Sequence, residues 1–551
     1  MKVLGINHVT GLLAWSHDSA AALVVDGKLI ASAEEERFNR IRHSSGFPKH
    51  AIDYCLKEGG LTAKDIDILA ISYNPYAFLT RGRINLWPHN LACDIANIFI
   101  LRRYLGGWLR EHGSRARVVY IDHHLAHAAS AYRMSGFEEA NVLTVDGSGE
   151  TESFAFFSGE NGELKRMWDI PFGGFFTKKK WASIGLVYTR VTGILGLGVS
   201  GEGKTMGLAS YGKPRFDFSK ILSITSHKKY AIDRRNVSTL YPEVKRDAKD
   251  PITQAHKDLA ASLQKSLEDS VVNLAREAYE YSGFKNFTLA GGVALNCNTN
   301  SRILAEDFCD AIFVQPAATD GGAALGAALE ASAQAGDKPD FKMTHAYWGP
   351  GFGNEEIEKV LKEIRMPYTK PASITDAAAD LVAAGKIVGW FQGRAEIGPR
   401  ALGNRSILAN PTMKGMDLKV NEHIKHRESW RPFAPSVTEE DASKYFEGVD
   451  KAKESPFMLH TFFVKKKFRD VLPAITHVDG SSRIQTVRRD QNERYWQLLK
   501  ALEKRTGHPI VLNTSFNDKG EPIVTTPRDA IRCFYSTGLD ALAIGDFLIV
   551  K

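Results

Sequence analysis

Two stretches of this chain share one layout, and that layout limits the fold. "VLGINHVTGLLAWSHDSAAALVVDGKLIASAEEERF", near the start, reads as strand, polar turn, strand, Asp-Gly hairpin, strand. "NVLTVDGSGETESFAFFSGENGELKRMWDI", from residue 141, repeats that order with a tight turn at "GENGEL". The likeness is weak in residue identity and coherent in order, so it predicts two related α/β halves facing each other. Strand, glycine-rich turn and small-residue helix then recur at "NFTLAGGVALNCNTN" and "AIFVQPAATDGGAALGAALEASAQAG". Gly291, Gly292 and Gly321 would let a nucleotide's phosphate or ribose approach backbone N–H groups at a helix start. The competing reading is tight packing of helix on sheet.

A chain of 551 residues is too long for one ordinary core. A turn-rich stretch, "AQAGDKPDFKMTHAYWGPGFGNEEI", places a boundary near residue 345, giving domains of 1–345 and 346–551. Hydrophobic residues at 43% and charged residues at 25% are the balance of a folded globular protein, which excludes general disorder. The excess of 71 Lys and Arg over 64 Asp and Glu suits an anionic substrate and argues against nucleic acid as a partner. The lysine runs at 178–180 and 465–467 read as solvated loops. Five scattered cysteines without CxxC spacing fit a reducing compartment, and no apolar run reaches membrane-spanning length, so a cytoplasmic protein is expected.

"VVYIDHHLAHAASAYRMSG" concentrates three histidines where a strand becomes a helix, with Asp122 as the expected cap and Gly136 as the stop. Residues three or four apart share a helical face, so His127 pairs with either His123 or His124. Two imidazoles do not complete a metal site, and a carboxylate from elsewhere is required. The alternative is a helix start whose histidines bond to backbone or water.

Past residue 345 the chemistry changes. "KIVGWFQGRAEIGPRALGNRSILANP" sets Arg394, Arg400 and Arg405 in glycine-rich loops, and "VNEHIKHRESWRPFAPSV" adds Lys425, Arg427 and Arg431. Arginine forks match phosphate and carboxylate oxygens, so this half reads as an anion site. The contrary reading pairs these cations with Glu396, Glu422 and Glu428 on the surface. "HPIVLNTSFNDKGEPIV" ends a strand on Asn513, Thr514 and Ser515, groups able to hold phosphate oxygens or simply to form a turn.

Taken together, "SHDSAAAL", "DHHLAHAASAY", "VDGSGE", "MGLASYG", "GGVALN", "QPAATDGGAALGAAL", "GRAEIGPRALGNRSIL", "HRESWRPFAPSV" and "NTSFNDKGEPIV" closely resemble the NodU/CmcH family of O-carbamoyltransferases, in family order from about residue 3 to residue 530. The resemblance implies an α/β protein with two parts. The N-terminal part is similar to threonylcarbamoyl transferases of the actin and sugar-kinase superfamily, a duplicated RNase H-like fold. The C-terminal part is similar to YrdC-like domains that form carbamoyl adenylate from carbamoyl phosphate and ATP. A hydroxyl of a small acceptor then takes the carbamoyl group and AMP leaves.

For the residues, the resemblance implies a metal set of His123, His127, Asp146 and Asp320, suited first to iron(II), with manganese or zinc as alternatives and magnesium accompanying ATP. It implies His17 as the group that activates or orients the acceptor hydroxyl, the alternative being a turn histidine. Arg400, Lys425 and Arg431 lead the set that holds the two anionic substrates, supported by Arg394, Arg405, Arg483, Asn513 and Ser515. Residues 75–115, with few family landmarks, are expected to bind the acceptor or to serve as a lid or packing helix. Two rivals remain: a tRNA-directed carbamoyl-type transferase, which needs a broad basic face, and a nucleotide-dependent binding module, which does not need the arginine-rich half.

Overall fold

In a computed structural model, residues 1–7, 17–77, 88–172, 182–233, 237–339 and 341–551 are described, with residues 88–97 and 238 described by backbone alone. The lysine run at 178–180 and part of the 75–115 segment lie outside the described residues. The chain divides into two compact units, Met1–Glu35 with His43–Met343, and Glu36–Arg42 with Thr344–Lys551. The second unit therefore takes seven residues from the N-terminal part of the sequence.

The first unit contains two five-stranded sheets of one topology. In the first, β1 (Lys2–Asn7), β2 (Ala20–Val25) and β3 (Lys28–Glu34) form an antiparallel meander, and β4 (Ile68–Ile71) and β5 (Arg117–Tyr120) add in parallel beside β1. In the second, β6 (Glu139–Val145), β7 (Glu152–Glu160) and β8 (Glu163–Pro171) repeat the meander, and β11 (Asn286–Ala290) and β12 (Ala311–Val314) add in parallel beside β6. A separate hairpin pairs β9 (Leu222–Ser226) with β10 (Lys229–Ile232). This duplicated order, an antiparallel meander followed by two parallel strands, is an RNase H-like arrangement. The hairpin turns follow their residues: Asp26 and Gly27 take φ of 49° and 75°, and Asn161 and Gly162 take 52° and 80°. Left-handed pairs of this kind match the twist of the flanking strands.

Each repeat ends in a helix that follows its fifth strand, His123–Ser135 after β5 and Asp320–Gln334 after β12. The two helices pack on each other, and their small residues permit a close crossing. A Cβ on Gly326 would stand 1.7 Å from the carbonyl oxygen of Ala126, so no side chain fits there. Farther along, Arg133 donates from Nε and Nη2 to one oxygen of Glu330, at 3.1 and 2.7 Å, tying the same two helices with a buried ion pair.

The second unit is an α/β domain, the class expected of the YrdC-like part. Its seven-stranded mixed sheet runs in the order β19 (Gln485–Val487), β15 (Ala434–Thr438), β20 (Ile510–Ser515), β14 (Arg405–Ala409), β13 (Val388–Phe391), β21 (Ala541–Ile544) and β22 (Phe547–Val550). A small sheet of β16 (Phe446–Glu447), β17 (Phe462–Val464) and β18 (Ser481–Ser482) stands apart from it. Helices Ile374–Ala383 and Glu493–Thr506 pack together over the large sheet around Trp390, whose indole N–H donates to the carbonyl of Gly403. Among the described residues no helix is long and apolar enough to cross a membrane, and Cys55, Cys297, Cys309 and Cys533 are buried thiols that form no disulfide.

Replacing Gly326 with Ala forces the two helices apart and is expected to destabilise the protein by about 3 kcal/mol. The measurement is the denaturant midpoint, and a midpoint equal to that of the parent would refute this account of the crossing.

Candidate functional site

The first cluster forms where the two crossing helices begin. His123 and His127 lie one turn apart with Nε2 atoms 3.1 Å from each other. Asp146, just past β6, brings Oδ2 to 3.1 Å from His123 Nε2 and 3.4 Å from His127 Nε2. Asp320, the first residue of the other helix, places Oδ1 at 3.6 and 3.7 Å from the same nitrogens. One ligand atom from each of the four falls within 4.8 Å of the others. Asp146 is aimed by its second oxygen, which accepts from the backbone N–H of Gly147 (2.7 Å) and Gly292 (3.0 Å).

The two carboxylates govern the charge of this cluster. Burial alone would raise the Asp146 carboxyl, but hydrogen bonds from His123 and His127 hold it well below the usual carboxylate range. Burial would likewise lower His123, yet Asp320 and Asp146 push its imidazolium up to about 10. Two imidazoles and two carboxylates at this spacing are a donor set for a borderline divalent ion. The residues present fit such an ion.

His124 is turned the other way. Its Nδ1 lies 2.7 Å from Thr144 Oγ1 and its Nε2 3.2 Å from the carbonyl oxygen of Glu152, so both ring nitrogens face the second sheet. Burial lowers its imidazole to about 3. Asp122 holds the cap position without a side-chain cap bond, its Oδ1 instead accepting from Asn74 Nδ2. A residue that the sequence did not single out takes over: Glu150 Oε1 accepts from the backbone N–H of both His123 and Asn74, each at 2.8 Å. Burial lifts the Glu150 carboxyl to about 7. Glu150 sits in the quoted "VDGSGE" stretch, where nothing distinguishes it from Glu152.

His17 follows the end of β1. Its Nδ1 lies 3.3 Å from Asp18 Oδ2, and the other oxygen of Asp18 lies 2.7 Å from Nδ1 of His43. Asn7 secures this turn by donating to the carbonyls of His17 and Asp18, while Asp18 and His43 take left-handed φ of 55° and 53°. The negative charge of Asp320, and then the hydrogen bond to Asp18, raise His17 to about 10. Asp18 and His43 were not sequence candidates. Asp18 is adjacent to His17, whereas nothing local marks His43.

Of the glycines, Gly292 gives its N–H to Asp146, and Gly291 takes φ of 89° where a Cβ would meet the carbonyl of Val145 at 2.4 Å. Gly321 lies in the first turn of the helix that Asp320 opens. In the 75–115 segment, the described part includes Arg102, over the ring of Tyr76 at 5.7 Å, with Tyr76 edge-on to Tyr120 at 5.8 Å.

The second unit gathers cations. Lys425 ends a π-helical turn, Asn421–Lys425, and donates to the Ser515 carbonyl (2.5 Å), Asn517 Oδ1 (2.7 Å) and the Asn517 carbonyl (3.0 Å), with Ser515 Oγ at 3.4 Å. Burial, and then the charge of Arg427, lower it to about 7. Burial with Arg431 and Arg483 lowers Arg427 to about 9, and its guanidinium sits 4.2 Å over the ring of Phe433. Arg431 is lowered by burial and by Arg483 and Arg42, against Glu428 at 3.8 Å. Such crowding of like charges is a feature of functional sites. Arg427 was noticed in the sequence without being ranked, and Arg42 was not noticed.

The remaining predicted residues serve differently. Arg405 is buried in the sheet and donates to the carbonyls of Gln392, Asn404, Pro350 and Gly393, with its guanidinium 3.7 Å over the ring of Phe391. Arg394 donates to the carbonyls of Gly349 and Trp348. Asn513 is buried, its amide donating to Ala401, Ser436 and Gln485. Arg400 follows Gly398 and Pro399 in the loop between β13 and β14. Glu396 is not a surface partner for these cations. It is buried, and one oxygen accepts from the backbone N–H of Leu402, Asn404 and Arg405, which shapes that loop.

The family model described as Carbamoyltransferase N-terminus matches residues 8–80 and 96–329, and Carbamoyltransferase C-terminus matches 379–551. The chain belongs to the NodU/CmcH-type carbamoyltransferase family and is an enzyme of that class. Nodulation protein NolNO of Sinorhizobium fredii is 42% identical over 547 residues, covering 97% of this chain and 79% of that protein. The 3'-hydroxymethylcephem-O-carbamoyltransferase of Amycolatopsis lactamdurans is 28% identical, covering 96% of this chain and 97% of that one. Among solved structures, HypF of T. kodakarensis aligns with a TM-score of 0.37 and 14% identity over 61% of this chain and 48% of its own, a likeness too remote to support an inference.

The burial of His124 gives a prediction for acid stability. Folded, the ring stays neutral down to about pH 3, whereas unfolded it takes a proton below about 6.5, so stability falls with pH across that window by about 1.4 kcal/mol per unit. A His124→Gln variant is expected to lose this part of the slope in denaturation curves at pH 6.5 and pH 5. Equal slopes in parent and variant would show that the ring titrates normally.

Proposed function

We propose that this enzyme is an ATP-dependent O-carbamoyltransferase that acts in two steps. In the first, carbamoyl phosphate, water and ATP give carbamoyl adenylate, phosphate and pyrophosphate. In the second, the oxygen of an acceptor hydroxyl bonds to the carbamoyl carbon, the bond from that carbon to the adenylate oxygen breaks, and AMP and a proton leave. Residues 346–551 serve as the adenylate-forming, YrdC-like part and residues 1–345 as the transfer part.

The observation that carries the reading is the crowding of cations in the second unit, where Lys425, Arg427 and Arg431 are each lowered by burial and by neighbouring guanidinia, Arg483 among those neighbours. Two substrates rich in negative charge repel each other, and holding them in register requires positive groups fixed before they arrive. Lys425 is fixed by Ser515 and Asn517, and the loop bearing Arg400 is shaped by Glu396. Arg405 and Arg394, turned to backbone carbonyls, maintain the loops rather than meet substrate.

In the transfer part, His17 is the group that orients the acceptor hydroxyl or takes its proton, with Asp18 holding its Nδ1 so that Nε2 is left to act. His123, His127, Asp146 and Asp320 would hold a divalent ion, iron(II) before manganese or zinc, which when bound supplies Lewis acidity toward the phosphate of the adenylate. Gly291, Gly292 and Gly321 border the nucleotide in this reading. The acceptor is a small hydroxyl-bearing molecule, as the name of the cephem-carbamoylating relative indicates for that enzyme, and Tyr76, Arg102 and Tyr120 are the described groups of the acceptor segment best suited to it.

Pyrophosphate release from ATP is expected to require carbamoyl phosphate, and Lys425→Met or Arg431→Ala to slow it about a hundredfold, the usual cost of removing one preorganised charge partner. Release that ignores carbamoyl phosphate would refute the reading. Binding of ATP at pH 8 is expected to take up a proton, because Lys425 titrates near 7 in the free protein and is recharged beside an anion. Calorimetry in two buffers of different ionisation heat measures that uptake, and Lys425→Met is expected to reduce it. An uptake unchanged in the variant would assign the proton elsewhere.

A further inference from the structure

The second unit contains a segment that the sequence places far from it. Glu36–Arg42 follows β3, more than 300 residues before the rest of that unit, and begins with the short helix Glu36–Asn39. Two of its three arginines donate to loops of the cationic region. Arg37 is buried, and its Nη2 donates to the carbonyl of Gly398 at 2.7 Å, two residues before Arg400. Arg40 donates from Nη1 to the carbonyl of Ile523 (2.7 Å) and from Nη2 to that of Pro522 (2.8 Å), with Asp529 at 3.7 Å and Glu521 at 3.9 Å. Those carbonyls lie on the loop that begins at Ser515 and Asn517, the residues that hold Lys425. Arg42 is exposed, and its charge is among those that lower Arg431.

We propose that residues 36–42 are a working part of the anion site: Arg37 and Arg40 are positioning residues that hold the two loops presenting Arg400 and Lys425. This rests on the adenylation reading above and extends it, because it adds residues from the N-terminal sequence to a site otherwise built from residues beyond 390.

One physical point supports it. Each loop is gripped at backbone carbonyls by a guanidinium fork, which fixes the direction of the chain without depending on the side chains at those positions. Arg37 and Arg40 thereby act on both anion-bearing loops from one seven-residue stretch.

The test uses the full-length enzyme. In the pyrophosphate-release assay, Arg37→Gln and Arg40→Gln are each expected to lower kcat about tenfold, a larger change than in either KM, because a displaced loop misplaces the groups it presents. Arg37→Lys and Arg40→Lys, which keep one charged donor, are expected to recover part of that loss. A thermal midpoint equal to the parent's separates a displaced loop from lost folding. A kcat within about twofold of the parent in both Gln variants would overturn the inference. If the parent releases no pyrophosphate, the adenylation reading fails by itself. Titration of the full chain with ATP alone then decides on the two loops, since equal affinity in the parent and both Gln variants overturns the inference and a weakened affinity sustains it as an anion site for another reaction.

Discussion

The close crossing of the helices His123–Ser135 and Asp320–Gln334 is the constraint from which the first unit follows. Gly326 lies against the carbonyl of Ala126, and the helices approach to a distance that a side chain would prevent. Because each helix begins at the end of its own fifth strand, bringing the helices together brings their first turns together. His123 and His127 come from one, Asp320 from the other, and Asp146 from the end of β6 nearby. The fold's duplication thus delivers four ligand-type side chains to one point from three separate parts of the chain. Helix starts carry partial positive charge, which favours carboxylates beside them. Asp320 lies in such a first turn, and Glu150 accepts from the first N–H of the other helix.

How far these features can be read in the sequence depends on how local their causes are. The two meanders were legible because alternating strands and Asp-Gly or Asn-Gly turns are decided within a few residues. The helix from His123 to Gly136 was legible for the same reason. The choice between His123 and His124 was not, since both are spaced to share a face with His127. It is made by the second sheet, where Thr144 and Glu152 engage both nitrogens of His124. Arg405 shows the opposite limit. A cation in a glycine-rich loop has the pattern of an anion ligand, but this one is surrounded by the carbonyls that the loop's own curvature turns inward. The seven residues of Glu36–Arg42 were not legible at all, because they are held by backbone carbonyls of a remote region and leave no periodic trace.

The two units carry opposite electrostatic imbalances. In the first, Asp146 and Asp320 face two imidazoles and His17, and the imbalance raises His17 and His123 to about 10. In the second, burial and neighbouring guanidinia lower Lys425 to about 7 and Arg427 to about 9. Neither set is an efficient source of stability, since crowded guanidinia repel and even paired buried charges return little beyond their desolvation cost. The first is arranged to gain from a cation and the second from an anion.

That asymmetry bears on how a group such as His17 can serve as a base. A ring raised to about 10 by Asp320 and Asp18 is protonated near neutral pH and has no lone pair to offer at Nε2. The largest of those influences is Asp320, whose Oδ1 is also one of the four converging ligand atoms. Positive charge placed among those four atoms opposes the field of Asp320 at His17 and favours the neutral ring. The bond to Asp18 acts differently, since it fixes Nδ1 as the protonated nitrogen in the neutral form. The same four groups that suit a cation would then also govern whether the neighbouring imidazole is free to accept a proton, so the four-residue cluster and His17 are one electrostatic unit and not two independent sites.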